Sequence, residues 1–198
     1  MILEGIVTTI NADGSVNISP MGPTVDAEMS PMVLRPYRTS TTYRNLKRTG
    51  QGVFHVTDDV ELLAHAAVNR VETLPKLMPA GCIEGFILAD ACRWYALRVD
   101  LLDDSAERST IECSVVDAGS LRDFVGFNRA KHAVLEAAIL ATRTAFLSAD
   151  EIRDEFRRLA VIVQKTAGEQ EQRAFEFLQH YVDEALAQKE MAKEHQQP

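Results

Sequence analysis

The hydrophobic positions of this chain change period once. Up to about residue 120 they alternate or run in short blocks, and from residue 128 onward they recur at spacings of three and four. Residues 2–10 (ILEGIVTTI) and 15–19 (SVNIS) flank Asn11-Ala12-Asp13-Gly14, which predicts an antiparallel hairpin with Gly14 free to take a positive φ. A loop rich in Pro, Gly and Met follows, and then a strand over 32–37 (MVLRPY). Ser40, Thr41 or Thr42 is placed to cap a short helix over 43–49 that Gly50 ends. GVFHVT reads as the next strand. Asp58 and Asp59 stand where an N-cap and a first-turn carboxylate belong, ahead of Val60, Leu62, Leu63, Ala66 and Ala67, so a second helix runs to about Asn69. Pro75 and Pro79 predict a loop. The runs 83–90, 92–102 and 109–119 are extended, the last two joined by the polar turn DDSAER. Together these are enough strands to close a small barrel.

The second half is helical in pattern. Residues 128–147 are rich in Ala and apolar almost all round, as in a helix buried on most sides. Ser148-Ala149-Asp150-Glu151 matches a capping box, and Ile152, Phe156, Leu159, Ala160 and Val163 recur at helical spacing before Gly168. A third helix carries Phe175, Leu178, Tyr181, Val182, Ala185 and Leu186 on one stripe, ahead of a polar tail predicted to fray. The pattern therefore predicts an α+β chain: a barrel over residues 1–122, a helical subdomain over 123–188 and a tail over 189–198. Three helices with this much apolar face exceed what one short sheet can cover. A symmetric homodimer, with helices packed on helices, is the expectation; a monomer with its helices folded on one another competes with it.

Composition narrows the function classes. The 198 residues are 46% hydrophobic and 25% charged, as in an ordinary globular protein. The starting segment lacks the basic start and apolar run of a signal peptide, no stretch approaches the ~20 apolar residues of a membrane span, and the expected address is the cytoplasm. A net charge of −8 argues against a sequence-independent grip on nucleic acid. Cys82, Cys92 and Cys113 show no paired spacing and read as reduced, mostly buried thiols. GxSxG, HExxH, Walker and GxGxxG motifs are absent. His55 reads as a packed or cross-strand histidine, His65, His180 and His195 lack ligand partners at metal spacing, and Trp94 and Tyr95 are expected to pack the barrel.

Three segments carry candidate chemistry. Leu34 to Asn45 places Arg35 and Arg38 beside Thr39, Ser40, Thr41 and Thr42 at a strand-to-helix junction, where unpaired N–H groups and the helix dipole favour an anion. A phosphate monoester would find bidentate guanidinium donors and short hydroxyl donors there. The same residues also fit an ordinary capped helix with two solvated arginines. Asn128, Arg129, Lys131 and His132 crowd positive charge at a helix start, where it is disfavoured; Asp123 or a ligand anion could compensate, and His132 could pair with Glu136. The loop Asn17, Ser19, Pro20, Met21, Gly22, Pro23 has small, rigid residues that let backbone approach a flat ring, with two polar side chains for its edge.

These blocks, NISPMGPTV, LRPYRTSTTYRNLKRTGQGVFHVTDD, EGFILADACRWYALRV and LRDFVGFNRAKHAVLEAAILATR, resemble those of an archaeal and bacterial family known only as a domain of unknown function. That family is related to the flavin reductase-like FMN-binding split β-barrels, and the resemblance spans nearly all of residues 3–187. It implies a homodimeric split barrel that binds FMN. Carried over by residue, Arg35, Arg38, Thr39, Ser40 and Thr41 would hold the phosphate, and Asn17, Ser19, Pro20 and Met21 would neighbour the isoalloxazine. Asn128, Arg129 and Lys131 match the block that opens the long helix, facing FMN, a substrate or another subunit. Three functions follow as alternatives. An FMN-dependent oxidoreductase would use NAD(P)H or another small-molecule donor, with Arg129 and Lys131 candidates to stabilise the reduced ring. A non-catalytic binder would hold FMN or a related phosphorylated or pterin-like ligand. A dimeric scaffold would hold neither.

Overall fold

The computed structural model describes residues 1–194. Contacts divide the chain into two compact units: residues 1–58 with 72–125, and residues 59–71 with the chain from 126 onward.

The first unit is a curled antiparallel sheet. β1 (Gly5–Ile10), buried at every position, pairs with β2 (Val16–Met21) in the predicted hairpin, with Gly14 at φ 84° in the turn. β3 (Met32–Leu34) leads to α1 (Thr41–Thr49) and β4 (Gln51–Val56). The long strands β7 (Arg93–Asp103) and β8 (Thr110–Ser120) complete a six-stranded order β2-β1-β4-β7-β8-β3. Thr24 closes the curl: it bridges Val33 of β3 on one side and Ile2, just ahead of β1, on the other. The extended run predicted over 32–37 is strand only to Leu34, because Pro36 cannot donate to a ladder.

Two departures from the pattern lie in one small hairpin. The predicted loop around Pro75 and Pro79 contains a strand, β5 (Leu77–Pro79), and the run predicted over 83–90 is strand only at β6 (Phe86–Leu88), its partner. Ala80 N–H donates to Gly85 O at 2.9 Å and closes the hairpin, with Pro79 tolerated at the strand's end. Side chains of the main sheet hold it: Thr8 Oγ1 donates to Phe86 O (2.6 Å), Gln51 Oε1 accepts from Glu84 N–H (2.7 Å), and His55 Nε2 accepts from Leu88 N–H (3.0 Å).

Alternation sends Val7, Met32, Leu34, Phe54, Tyr95, Leu97, Ile111 and Cys113 into the barrel core, where Tyr43 and Leu46 of α1 join them. Trp94 packs against a second cluster around Val53 and Ile87. Its indole lies across Gly119, the residue opposite it on β8; a Cβ there would stand 2.6 Å from Trp94 Nε1.

The second unit is helical and includes α2 (Val60–Ala67) from the first half of the chain, with α3 (Arg129–Ala141), α4 (Ala149–Thr166) and α5 (Glu169–Glu194). Alanines 130, 133, 137, 138 and 141 form the buried face of α3, small enough to admit the large side chains of its neighbours. Ile152, Phe156, Leu178, Val182 and Leu186 supply that bulk from α4 and α5. Ser148 and Glu151 form both halves of the predicted capping box. The helix predicted over 128–147 stops at Ala141, and the carbonyls of Thr144, Ala145 and Leu147 beyond it take hydrogen bonds from Lys189 Nζ (2.8, 3.3 and 3.0 Å). The polar stretch from 189, expected to fray, continues as helix to Glu194. His195 lies outside the described residues. Among the described residues no helix is long and apolar enough to cross a membrane.

Candidate functional site

The strand-to-helix junction is built by local rules. Of the three hydroxyls able to cap α1, Ser40 does so: its backbone is extended (φ −75°, ψ 152°) and its Oγ accepts from Tyr43 N–H at 3.1 Å. A turn precedes it, in which Ser40 N–H donates to Tyr37 O at 2.9 Å. Gly50 ends the helix at φ 66°, donating to Leu46 O (2.9 Å). The first turn of α1 holds no acidic residue, so nothing in it opposes an anion at the positive end of the dipole.

The predicted donors precede or open that helix, and one more joins them. Arg35, Arg38 and Thr39 are exposed, and Ser40 and Thr41 half-buried. Arg44, not singled out from the sequence, reaches back to Thr39 O (2.8 Å) and Thr41 Oγ1 (3.0 Å). Thr41 keeps its own proton to donate. Behind them the tip of the β7–β8 hairpin supplies Asp104, which accepts from Tyr43 Oη (2.5 Å) and Lys47 Nζ (2.7 Å). The Lys47 hydrogen bond, then that of Tyr43, then the charges of Lys47 and Arg38 hold the Asp104 carboxyl down at about 2. Its charge is thereby answered within the cluster.

β2 approaches the same helix end. Alternation puts Asn17, Ser19 and Met21 on one face of the strand. Asn17 Nδ2 donates to Thr42 Oγ1 (3.1 Å) in the first turn of α1 and to Thr9 Oγ1 (3.2 Å). Thr9 also accepts from Asn45 (3.0 Å), which donates to Asn11 Oδ1 (2.8 Å); Asn11 donates to Ser15 Oγ (2.9 Å), and Ser15 to Asp13 (2.6 Å). Asp13 accepts only, so each polarity from it to Asn45 is fixed. The Asn17–Thr42 bond thus ties β2 to the first turn of α1, one residue past Thr41. Pro20 lies opposite Ile6, Met21 opposite Gly5 and against the barrel core, and Ser19 Oγ reaches Pro20 O at 3.4 Å. Gly22, read as making room for a ring, is small for another reason: Ile2 Cγ2 lies 2.7 Å from where its Cβ would stand.

The third predicted group belongs to the helical unit. Asn128 is the N-cap of α3; its Oδ1 accepts from Ala130 and Lys131 N–H (2.7 and 3.1 Å), and its Nδ2 donates to Thr166 O (3.1 Å). Lys131 Nζ lies 2.7 Å from Glu171 and 3.0 Å from Gln170 Oε1. The anion that answers this helix start is therefore Glu171, from α5. Burial works to raise the Glu171 carboxyl, but the hydrogen bonds from Lys131 and Gly168 outweigh it and leave it below its ordinary value. Arg129 is exposed, and Phe127 stacks on His132 with ring centroids 6.1 Å apart.

Other polar groups of the barrel are structural. His55, fully buried, donates from Nδ1 to Ile6 O (3.1 Å) and accepts at Nε2 from Leu88 N–H, which requires the neutral ring. Burial holds its pKa down at about 4. Of the two adjacent aspartates, Asp59 caps α2, while buried Asp58 takes both Nη groups of Arg122 and accepts from Val125 N–H (3.0 Å). Cys92 and Cys113 are buried, the latter pushed up to about 12 by burial, but Cys82, grouped with them from the sequence, is exposed because it sits in the turn after Gly81.

No curated protein matches the sequence. The N-terminal domain model of the family described as protein of unknown function (DUF447) matches residues 3–122, and a second model of that family matches residues 128–180. The chain belongs to the DUF447 family. Among solved structures it is similar to the FMN-bound DUF447 protein MM1853 from Methanosarcina mazei, with a TM-score of 0.76 and 21% identity over 93% of this chain and 95% of that one. Flavoredoxin from Methanosarcina acetivorans (TM-score 0.53, 12% identity) matches 60% of this chain and 68% of its own. A flavin reductase domain protein from Arthrobacter sp. (TM-score 0.52, 19% identity) matches 61% of this chain and 79% of its own. At these identities the likeness is one of fold. The DUF447 chain is thus a flavin reductase-like split barrel with C-terminal helices, the fold class that the sequence blocks implied.

Proposed function

We propose that this DUF447 chain binds FMN in its barrel unit and acts as an FMN-dependent oxidoreductase. The observation that carries the reading is the likeness, over almost the whole length of both chains, to a DUF447 protein described as FMN-bound. The donor set fits the group. Arg35 and Arg38, the hydroxyls of Thr39, Ser40 and Thr41, and the acid-free first turn of α1 offer a phosphate monoester charge and short donors together. Asn17, held by Thr9 and Thr42, and Ser19 on the same face of β2 would offer the ring a polar edge, with Pro20 and Met21 next to them along the strand. FMN itself supplies the redox chemistry when bound, so the chain's residues need only bind, orient and set the local charge. Of the cations at the start of α3, Lys131 is held by Glu171 and Arg129 is exposed.

The electron donor in this reading is NAD(P)H or another small molecule, and the working form is a cytoplasmic homodimer. Exposed Phe124, Val125, Phe127 and Phe146 support association, which sedimentation at several concentrations tests. The cofactor is tested by a visible spectrum of the purified protein and by FMN titration. Saturable uptake weakened at least tenfold by Arg38→Ala with Thr41→Ala is expected; no flavin bands and no uptake would sink the reading. Anaerobic bleaching of bound flavin, stoichiometric with NAD(P)H oxidised, separates the enzyme from a carrier that holds FMN without turning it over.

A further inference from the structure

The basic surface does not stop at the end of α1. Tyr37, three residues before the N-cap, is held to it by the Ser40 N–H to Tyr37 O bond, a turn that keeps their Cα atoms within about 7 Å. The residue is 45% exposed, and the Arg108 guanidinium lies over its ring at 4.2 Å from the centroid. Arg108 comes from the tip of the β7–β8 hairpin and is itself exposed. The pair is rigidly mounted. Tyr37 and Arg108 form a backbone bridge, Arg38 N–H donates to Glu107 O (3.1 Å), and buried Ser109 donates from both N and Oγ to Pro36 O, each at 3.0 Å. Three carboxylates share the hairpin tip: Asp103, which accepts from Ser105 N–H (2.9 Å), Asp104, already answered by Lys47 and Tyr43, and exposed Glu107.

A phosphate monoester at α1 makes no use of this platform. A stacked tyrosine and guanidinium, next to Arg35 and Arg38, offers what a second phosphate and a purine require: positive charge at the end of the first phosphate and a flat, cationic surface for a base. We propose that Tyr37 and Arg108 form an adenylate subsite continuous with the phosphate end of the flavin site, so that the chain accepts FAD as well as FMN. The inference rests on the flavin reading above and adds to it the half of the ligand that FMN lacks.

The test is fluorescence titration of the full chain with FMN, FAD and 5′-AMP, repeated on Tyr37→Ala, Arg108→Ala and Arg108→Lys, with a thermal melt of each to confirm folding. The expected result is FAD binding at least as tight as FMN, weakened about tenfold in Tyr37→Ala and Arg108→Ala while FMN affinity changes less than about twofold. Arg108→Lys should fall between, since it keeps charge but loses the planar stack, and 5′-AMP should compete with FAD only in the unaltered chain. FMN uptake without FAD uptake overturns the subsite and leaves the flavin reading standing. Equal weakening of both flavins also overturns it, assigning the pair to the monophosphate site. Failure to take up either flavin overturns both.

Discussion

The two units bury different things. Among the described residues, Thr8, Thr9, Thr42, Asn45, His55, Asp58 and Ser109 are polar or charged and buried in the barrel unit, against Glu171 alone in the helical unit. The helical unit achieves its packing with alanines on α3 facing Leu, Ile and Phe, and its one buried acid is matched by Lys131. The barrel spends its interior on hydrogen bonds that fix where α1, β2 and the β5–β6 hairpin lie. Buried polar groups add specificity of arrangement more than stability. That contrast suits the proposal above, in which the barrel unit holds the flavin and the helical unit need only pack.

The sharpest challenge to this contrast is removal of bulk from the barrel. Phe54→Ala, at a fully buried ring stacked near Tyr95, should cost about 4 kcal/mol in urea unfolding; a loss under about 1 kcal/mol would mean the barrel core is not what supports the site. In the helical unit, Lys131→Met leaves the Glu171 carboxylate buried without its cation and should cost about 3 kcal/mol. FMN affinity should not follow, and a tenfold rise in Kd would return Lys131 to the flavin site.

A pH titration should separate the units next. The folded barrel holds His55 neutral, with its pKa lowered from 6.5 to about 4. The stability this gives is present in full above the unfolded value and is lost as pH falls towards the folded one, about 2 kcal/mol of it between about pH 7 and about pH 5. In His55→Gln that slope should flatten; an unchanged slope would assign the acid sensitivity elsewhere. The smallest effect belongs to the helices: Ser148→Ala removes the cap of α4 and should cost about 1 kcal/mol with no change in flavin affinity, and a shift in affinity would count against the division of labour.

What the sequence made legible was local. The Gly14 hairpin, the cap and stop of α1 at Ser40 and Gly50, and the Ser148–Glu151 capping box each depend on residues within a few positions of one another. What it hid depends on partners far along the chain. Nothing near Asp58 says that it serves Arg122 while its neighbour Asp59 caps a helix, because adjacent carboxylates look alike until the fold supplies a cation 64 residues on. Leu77–Pro79 reads as a loop because its strand character comes from pairing with Phe86–Leu88 and from hooks sent by Thr8, Gln51 and His55. Helix α3 ends early for a similar reason: Lys189 satisfies the carbonyls beyond it. In the candidate site, the family resemblance named Arg35 to Thr41, but Arg44, Tyr37 and Arg108 join them only through the turn at Ser40 and the hairpin tip.

The indole laid across Gly119 makes the chain its own instrument. Trp94 is the one tryptophan in the sequence and lies in the barrel unit, whereas four of the five helices among the described residues lie in the other. Emission at tryptophan wavelengths therefore follows the melting of the barrel, and far-ultraviolet dichroism is dominated by the helices. Recorded on one sample, coincident curves mean that the halves melt as one cooperative body, and separated curves give each half its own transition.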